Sequence, residues 1–365
     1  MVDKPIRVLQ VVTHMERGGL ETMLMNYYRH IDRSKVQFDF LVHRQNHAAY
    51  DDEIEALGGR IYRLPVLVPW SRSYQKELNG FFKGHPEYQI VHVHQDCLSS
   101  VILKAAKKNG IPVRIAHSHN SNQDKNLKFL IKLYYKRFLP KYATDLFACG
   151  KEAGDWMFGG ASYHILNNAI DASLYCYDEG KKHCVRESLS IDREALVIGH
   201  VGRFCNQKNH SFLMEIFVQI SQKSPNARLI LVGDGVLRLQ IEEKVKELSL
   251  EDKVLFTGIR SDIPDLMQAM DVFLFPSLYE GLPVTMIEAQ AAGLHCYISD
   301  KVPIECKKTD LVHQIPLRNS AEQWAEQILS ATNERCKDTL SEIRKAGYDV
   351  KSNAAWLQNF YLGAK

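Results

Sequence analysis

The sequence predicts an α/β protein made of two doubly wound parallel sheets, one after the other along the chain. Three observations predict it. Apolar runs of strand length alternate with amphipathic stretches of helix length, the pattern of parallel strands joined by helical crossovers. The series pauses once, near residue 170, and then starts again. The chain's 365 residues suit two cores of about 150–200 residues each better than one.

The first series runs Val8–Val12, Phe38–Val42, Ile90–His94, Val113–Ala116 and Leu146–Cys149. Helical stretches at Glu21–His30, Leu98–Lys108 and Leu127–Phe138 lie between them. Asn167-Asn168-Ala169-Ile170-Asp171 is polar and turn-rich, and Ala172–Arg193 holds no strong strand. The second series begins at Leu196-Val-Ile-Gly-His-Val-Gly202 and continues through Arg228–Val232, Val254–Phe256, Asp271–Phe275 and Cys296–Ser299. Ser352–Leu362 reads as a final amphipathic helix. The expected domains are residues 1–170 and 171–349, with the terminal helix, 350–365, returning to the first. Ligands of such sheets gather at the carboxyl ends of the strands. A cleft between the two domains is the expected binding place.

Composition narrows the function classes. Apolar residues are 45% and charged residues 24%, and the formal net charge is +3. That balance gives no argument for a nucleic-acid partner. No run of 18 apolar residues predicts a membrane span, and the N-terminus lacks the signature of a secretory signal. A cytoplasmic protein is expected. The eight cysteines include no Cys-x-x-Cys pair, so they read as reduced, mostly packed thiols.

The strongest motif is Phe275-Pro-Ser-Leu-Tyr-Glu280-Gly-Leu-Pro-Val-Thr-Met-Ile-Glu288. A buried strand runs into a Pro/Ser/Gly loop, and Pro283 fits the first position of a helix. Backbone amides at Gly281, Leu282 and the next turn can receive anionic or hydroxyl oxygens. Glu280 precedes the helix, and Glu288 lies about two turns later, placed to accept hydrogen bonds from a diol. The second motif is Gly202-Arg203-Phe-Cys-Asn-Gln-Lys208. Its glycine allows close backbone approach. Arg203 and Lys208 supply a planar fork and a point charge, a pair suited to a diphosphate.

Thr13-His-Met-Glu-Arg-Gly18-Gly19 forms the first strand-to-helix turn. It is not G-x-G-x-x-G, so a nicotinamide cofactor is disfavoured. Val232-Gly233-Asp-Gly235-Val-Leu-Arg238 imitates that fingerprint but places an arginine at its third small position. His92-Val-His94 and His117-Ser-His119 fall at strand ends, and residues two apart share a face. Four imidazoles could hold a metal, but packing or polar contacts are the preferred reading for His92, His94 and His117. His119, followed by Asn120, is assigned to the active site. Segment 124–142 carries Lys125, Lys128, Lys132, Lys136, Arg137 and Lys141 among Leu127, Phe129, Leu130, Leu133, Tyr134 and Phe138. Such a helix suits either a core with a solvated basic face or an anionic membrane surface.

Together these residues resemble the retaining glycosyltransferases of family 4, whose GT-B architecture sets two Rossmann-like domains about a cleft. The resemblance spans nearly the whole chain and is strongest from Ile198 to Gly293. It implies a nucleotide-sugar donor, a UDP-sugar by its base, and a saccharide or lipid-linked saccharide acceptor of capsule or exopolysaccharide type. It implies that Glu288 holds the ribose hydroxyls and that Glu280, Gly281, Leu282 and Pro283 serve the hexose. Gly202, Arg203 and Lys208 would hold the diphosphate, and Ile259 and Arg260 would border the base. Gly18, Gly19 and His119 would face the donor from the first domain. No metal cofactor is implied, in agreement with the lack of Asp-x-Asp. The family often reads Gly-x-Pro-Val where this chain has Gly293-Leu294-His295-Cys296. His117 and His119 both fit the first-domain histidine. Other readings of the same scaffold are a sugar-nucleotide epimerase, a phosphorylase, a sugar-nucleotide binder and a histidine-based metallohydrolase. Taken with segment 124–142, the resemblance implies a peripheral place at the inner membrane face.

Overall fold

The computed structural model describes residues 4–119, 127–331 and 334–364, with side chains from Phe129 onward in the second stretch. They form two compact units, one of residues 1–169 with 349–365 and the other of residues 170–348.

The first unit holds a parallel sheet of seven strands: β1 (Ile6–Val11), β2 (Val36–Val42), β3 (Ile61–Arg63), β4 (Ile90–Val93), β5 (Val113–Ser118), β6 (Asp145–Ala148) and β7 (His164–Ile165). Their spatial order is β3-β2-β1-β4-β5-β6-β7. The second unit holds six: β8 (Val197–Val201), β9 (Arg228–Val232), β10 (Val254–Gly258), β11 (Val272–Phe275), β12 (His295–Ser299) and β13 (Val312–Ile315), in the order β10-β9-β8-β11-β12-β13. Each order grows outward from the unit's first strand, then reverses. The reversal falls between β1 and β4 in one unit and between β8 and β11 in the other. Connections on its two sides leave to opposite faces, which opens a crevice at the strands' carboxyl ends.

The apolar strand runs arise because helices cover both faces. β2 is buried at every position, and so are β8 and β11. Successive residues serve opposite faces. Val8, Phe38 and Phe40 pack with Tyr28 and Tyr361 on one side, while Leu9, Val11 and Leu41 pack with Leu78 and Ile102 on the other. Helices Gly19–His30 and Val350–Gly363 cover the first side, and Arg72–Gly84 and Ser99–Lys108 the second. In the second unit, Val197 and Ile198 divide the same way between two cores.

β3, β7 and β13 escape the sequence pattern. They are short and lie toward sheet edges, where one neighbour is missing, and both residues of β7 are exposed. Residues 172–193 lack a strand and instead hold the helix Glu179–Ser188, capped by the Asp178 side chain on the Lys181 amide. At the family departure, Gly293 sits at φ +71°, and a Cβ there would stand 2.0 Å from the Cys336 carbonyl oxygen. The following strand starts regularly at His295. No described helix is long and apolar enough to cross a membrane.

Candidate active site

In the second unit, the two strongest motifs meet at the point where the strand order reverses. Gly202 to Lys208 leave the end of β8, and Pro276 to Pro283 leave the end of its neighbour β11. The Leu278 amide donates to the Gln207 carbonyl at 2.8 Å. Asn209, left-handed at φ 54°, donates through its side chain to the Pro276 carbonyl at 3.1 Å. These bonds join the two loops. Lys208 Nζ lies 2.7 Å from Glu280 Oε1 and 4.5 Å from the Phe275 ring centroid. Gln207 donates to Glu280 Oε2 and to the Tyr279 carbonyl, both at 3.0 Å. The Glu280 side chain is 6% exposed and that of Lys208 14%. Glu280 is therefore no solvated surface carboxylate, and its paired cation comes from a different motif.

Gly202 is required for this arrangement. A Cβ there would stand 2.8 Å from His200 Nε2 and 3.3 Å from Lys208 Cε, so the bare backbone lets the lysine lie across it. Beneath, Gly233 adopts φ +135°, and a Cβ on it would meet the Gly202 carbonyl at 2.2 Å. The Gly233-Asp-Gly235 run thus serves the shape of the Arg203 loop. The Phe204 amide donates to the Asp234 carbonyl at 3.0 Å, and Arg203 itself is exposed.

Helix Val284–Ala291 starts one residue later than expected: Pro283 is its cap, with extended ψ of 119°, rather than its first turn. This leaves proline's fixed φ at the boundary without removing an internal donor. Glu288 lies within that helix and accepts from the Tyr175 hydroxyl at 2.8 Å. Burial pushes the Glu288 carboxyl up, and the tyrosine's hydrogen bond opposes that shift. The Ile259–Arg260 turn follows β10, whose terminal Gly258 carbonyl accepts from the Gly233 amide at 2.9 Å. Ile259 is 68% exposed. The exposed Arg260 pairs with Asp262, 2.5 Å away.

The first unit differs in kind. Gly18 caps helix Gly19–His30, and a Cβ at Gly18 would strike the Glu21 carboxylate, whereas Gly19 has open space. All four histidines at the ends of β4 and β5 come together. His92 Nε2 lies 3.1 Å from His117 Nδ1, and His94 Nδ1 lies 2.8 Å from His119 Nε2. Burial pushes all four imidazoles down, His119 to about 3. They are neutral at pH 7. A cavity of about 820 Å³ opens at the opposite, amino-terminal edge of this sheet, beside Lys4, Arg7 and Arg60, and touches none of these residues.

The basic segment also differs from a solvated face. Lys132 pairs with Asp96 at 3.0 Å, and Lys136 Nζ sits 4.5 Å above the Trp156 ring. Leu130 is instead 67% exposed and Tyr134 50%, with Arg137 4.2 Å above the Tyr134 ring. Asn120, Asp124, Lys125 and the Lys128 side chain lie outside the described residues.

The sequence reading gave no role to Gln207, Asn209 or Tyr175. Gln207 and Asn209 flank Lys208 in a recognised motif and could have been suspected. Tyr175 reaches Glu288 across 113 positions, and no local signal marks it.

Two successive units of this topology, with a paired lysine and glutamate at the switch point of the second, define the GT-B class. Residues 182–350 match the group 1 glycosyl transferases and residues 17–173 match Glycosyltransferase Family 4. The Bacillus subtilis (strain 168) protein designated EpsF is 38% identical over 97% of this chain and 96% of its own. An Escherichia coli UDP-Gal:alpha-D-GlcNAc-diphosphoundecaprenol alpha-1,3-galactosyltransferase is 28% identical over 59% of this chain and 58% of its own. Anabaena Alr3699/HepE, solved with UDP, shares the fold, with a TM-score of 0.73 at 18% identity over 97% of this chain and 95% of its own. The chain belongs to the family 4 glycosyltransferases and is a glycosyltransferase.

Proposed function

We propose that the protein moves a hexose from a UDP-sugar to a saccharide or lipid-linked saccharide acceptor in polysaccharide biosynthesis, retaining anomeric configuration and needing no metal cofactor for the transfer. The observation that carries this reading is the buried Lys208–Glu280 pair lying across Gly202. Cleavage of the bond between the anomeric carbon and the diphosphate leaves positive charge on the sugar and negative charge on the leaving group. Arg203 and Lys208 stabilise the leaving charge. Lys208 has three donors, so it can keep Glu280 while it donates to a phosphate oxygen. Glu280 and the Gly281-Leu282-Pro283 turn orient the hexose, and Glu288, positioned by Tyr175, takes the ribose hydroxyls. Ile259 and Arg260 border the base. Within the first unit, Gly18, Gly19 and His119 are assigned to the donor, as the family resemblance implies. The acceptor hydroxyl gives its proton to the leaving phosphate oxygen on the face it attacks, which retains configuration.

The UDP bound to the Anabaena protein and the donor and acceptor in the Escherichia coli enzyme's name support the choice of substrates. A thermal-shift panel of nucleotide sugars selects the donor, because a ligand of the native state raises its apparent stability. Transfer by Glu280→Gln, Arg203→Ala and Lys208→Ala then tests the site, and near-wild-type rates in all three reject it. The anomeric signal of the product by NMR tests retention; an inverted product rejects it. Peripheral membrane contact is assigned to the face carrying Leu130, Leu133, Tyr134 and Arg137. Leu130→Glu with Leu133→Glu should weaken binding to anionic vesicles, and unchanged binding rejects the contact.

A further inference from the structure

The hydrogen bonds among the four histidines of the first unit do not close. Among the described residues, His117 Nε2 and His119 Nδ1 are buried and have no partner, although buried polar atoms are nearly always paired. One ring nitrogen from each of His92, His94 and His117 lies within 4.8 Å of the other two. We propose that His92, His94 and His117, completed by His119, form a binding site for a zinc-class divalent metal ion that ties β4, β5 and the final helix together.

The backbone sets up the ligands. His92 and His94 stand two apart at the end of β4 and face the same way. β5 runs parallel in register, with Val93 opposite Ala116, which brings His94 level with His117. Two ligands two apart on one strand, with others from its neighbour, surround a point beside the sheet. A tetrahedral ion with bonds of about 2.0–2.1 Å needs its nitrogens roughly 3.4 Å apart. The 3.1 and 2.8 Å pairs must open slightly, and the longer separations among His92, His94 and His117, up to 4.8 Å, must close.

Partners behind the ligands are already in place. Gln10 Oε1 can only accept, so His94 Nε2, 2.9 Å away, carries the proton and leaves Nδ1 as the lone pair. The Tyr361 hydroxyl lies 2.7 Å from His92 Nδ1 and takes a hydrogen bond from Gln10 Nε2 at 3.3 Å; with Nδ1–H donating to that hydroxyl, Nε2 is the lone pair for the ion. Metal-binding histidines characteristically use the second nitrogen this way. An all-imidazole set favours zinc and its neighbours over magnesium or calcium. His119 approaches the site through Nε2, 2.8 Å from His94 Nδ1.

The test uses the full chain purified without a metal-affinity tag. Elemental analysis should find about one zinc per chain, as a single closed site requires. Chelation should lower the melting temperature, zinc should restore it and magnesium should not. Cobalt in place of zinc should give the visible absorption of a tetrahedral centre. His94→Gln with His117→Gln should abolish binding. Tyr361→Phe keeps every ligand and should weaken zinc affinity about 10–100-fold, a readout that holds even where the double variant fails to fold. A wild-type chain without zinc, whose melting ignores zinc and chelator alike, overturns the proposal. So does zinc binding that survives the double variant. Neither readout depends on a sugar donor, so the result stands apart from the transferase reading.

Discussion

The ends of β4 and β5 lie beside the reversal of strand order in one sheet, and the ends of β8 and β11 lie at the reversal in the other, yet their chemistry is opposite. The first is a nest of neutral imidazoles with Gln10 and Tyr361 behind it. The second is an ion pair, Lys208 with Glu280, beside an exposed arginine. The comparison teaches that the doubly wound sheet supplies a location and leaves the chemistry to the loop residues. A neutral nest suits hydroxyls or a metal ion, and a charged pair suits a dianion with a polyol beside it.

Breaking the ion pair should have the largest effect. Lys208→Ala should lower kcat/KM by about 10²–10³-fold, as for other preorganised donors to developing charge. Steady-state kinetics with the donor chosen by the thermal-shift panel measures it, and a drop under threefold means that the pair does not act in transfer.

The neutral nest should answer to acid instead. His119 is depressed from 6.5 to about 3 in the folded chain. Its contribution is therefore complete above the unfolded value of 6.5 and is lost as pH falls from there toward 3. The unfolded chain takes up the proton first. Between pH 7 and pH 5 the wild type should lose about 2 kcal/mol more than His119→Gln, at ~1.4 kcal/mol per pH unit below 6.5. Urea unfolding followed across that range decides it; parallel curves would mean that the imidazole titrates normally.

Gly202→Ala sharpens the comparison from the backbone side. The new methyl meets His200 and displaces Lys208, so donor affinity should fall about tenfold, or ~1.4 kcal/mol, with a stability cost of about 1–3 kcal/mol from overpacking. Calorimetric donor titration separates the two. The smallest effect belongs to Arg260→Ala. Its partner Asp262 is two residues away on an exposed turn, and solvent screens such pairs so that they contribute little. Melting should barely change, while donor KM should rise if the turn borders the base; a large loss of stability would give Arg260 a structural role instead.

Much of the fold was legible. The long central strands are buried on both faces and so read as apolar runs, whereas β3, β7 and β13 are short and lie near the edges. In the charged site, Glu280, Glu288, Arg203 and Lys208 stood out because helix starts and strand ends mark their positions locally. Tyr175 behind Glu288 and Tyr361 behind His92 left no mark. A tyrosine in a helix or turn is ordinarily core, and only the chain's return across more than a hundred positions gives it a polar partner.

By itself the sequence determined the alternation of strands and helices, the break near residue 170 and which loops carry charge. These follow from periodicity and turn chemistry, which act over a few residues. Tertiary structure alone decided that Lys208 pairs with Glu280, that Lys132 and Lys136 are spent on Asp96 and Trp156, and that four histidines share one pocket. Strand order chooses such neighbours, and hydrogen bonds and charge pairs act only between groups that packing has already brought within a few ångströms.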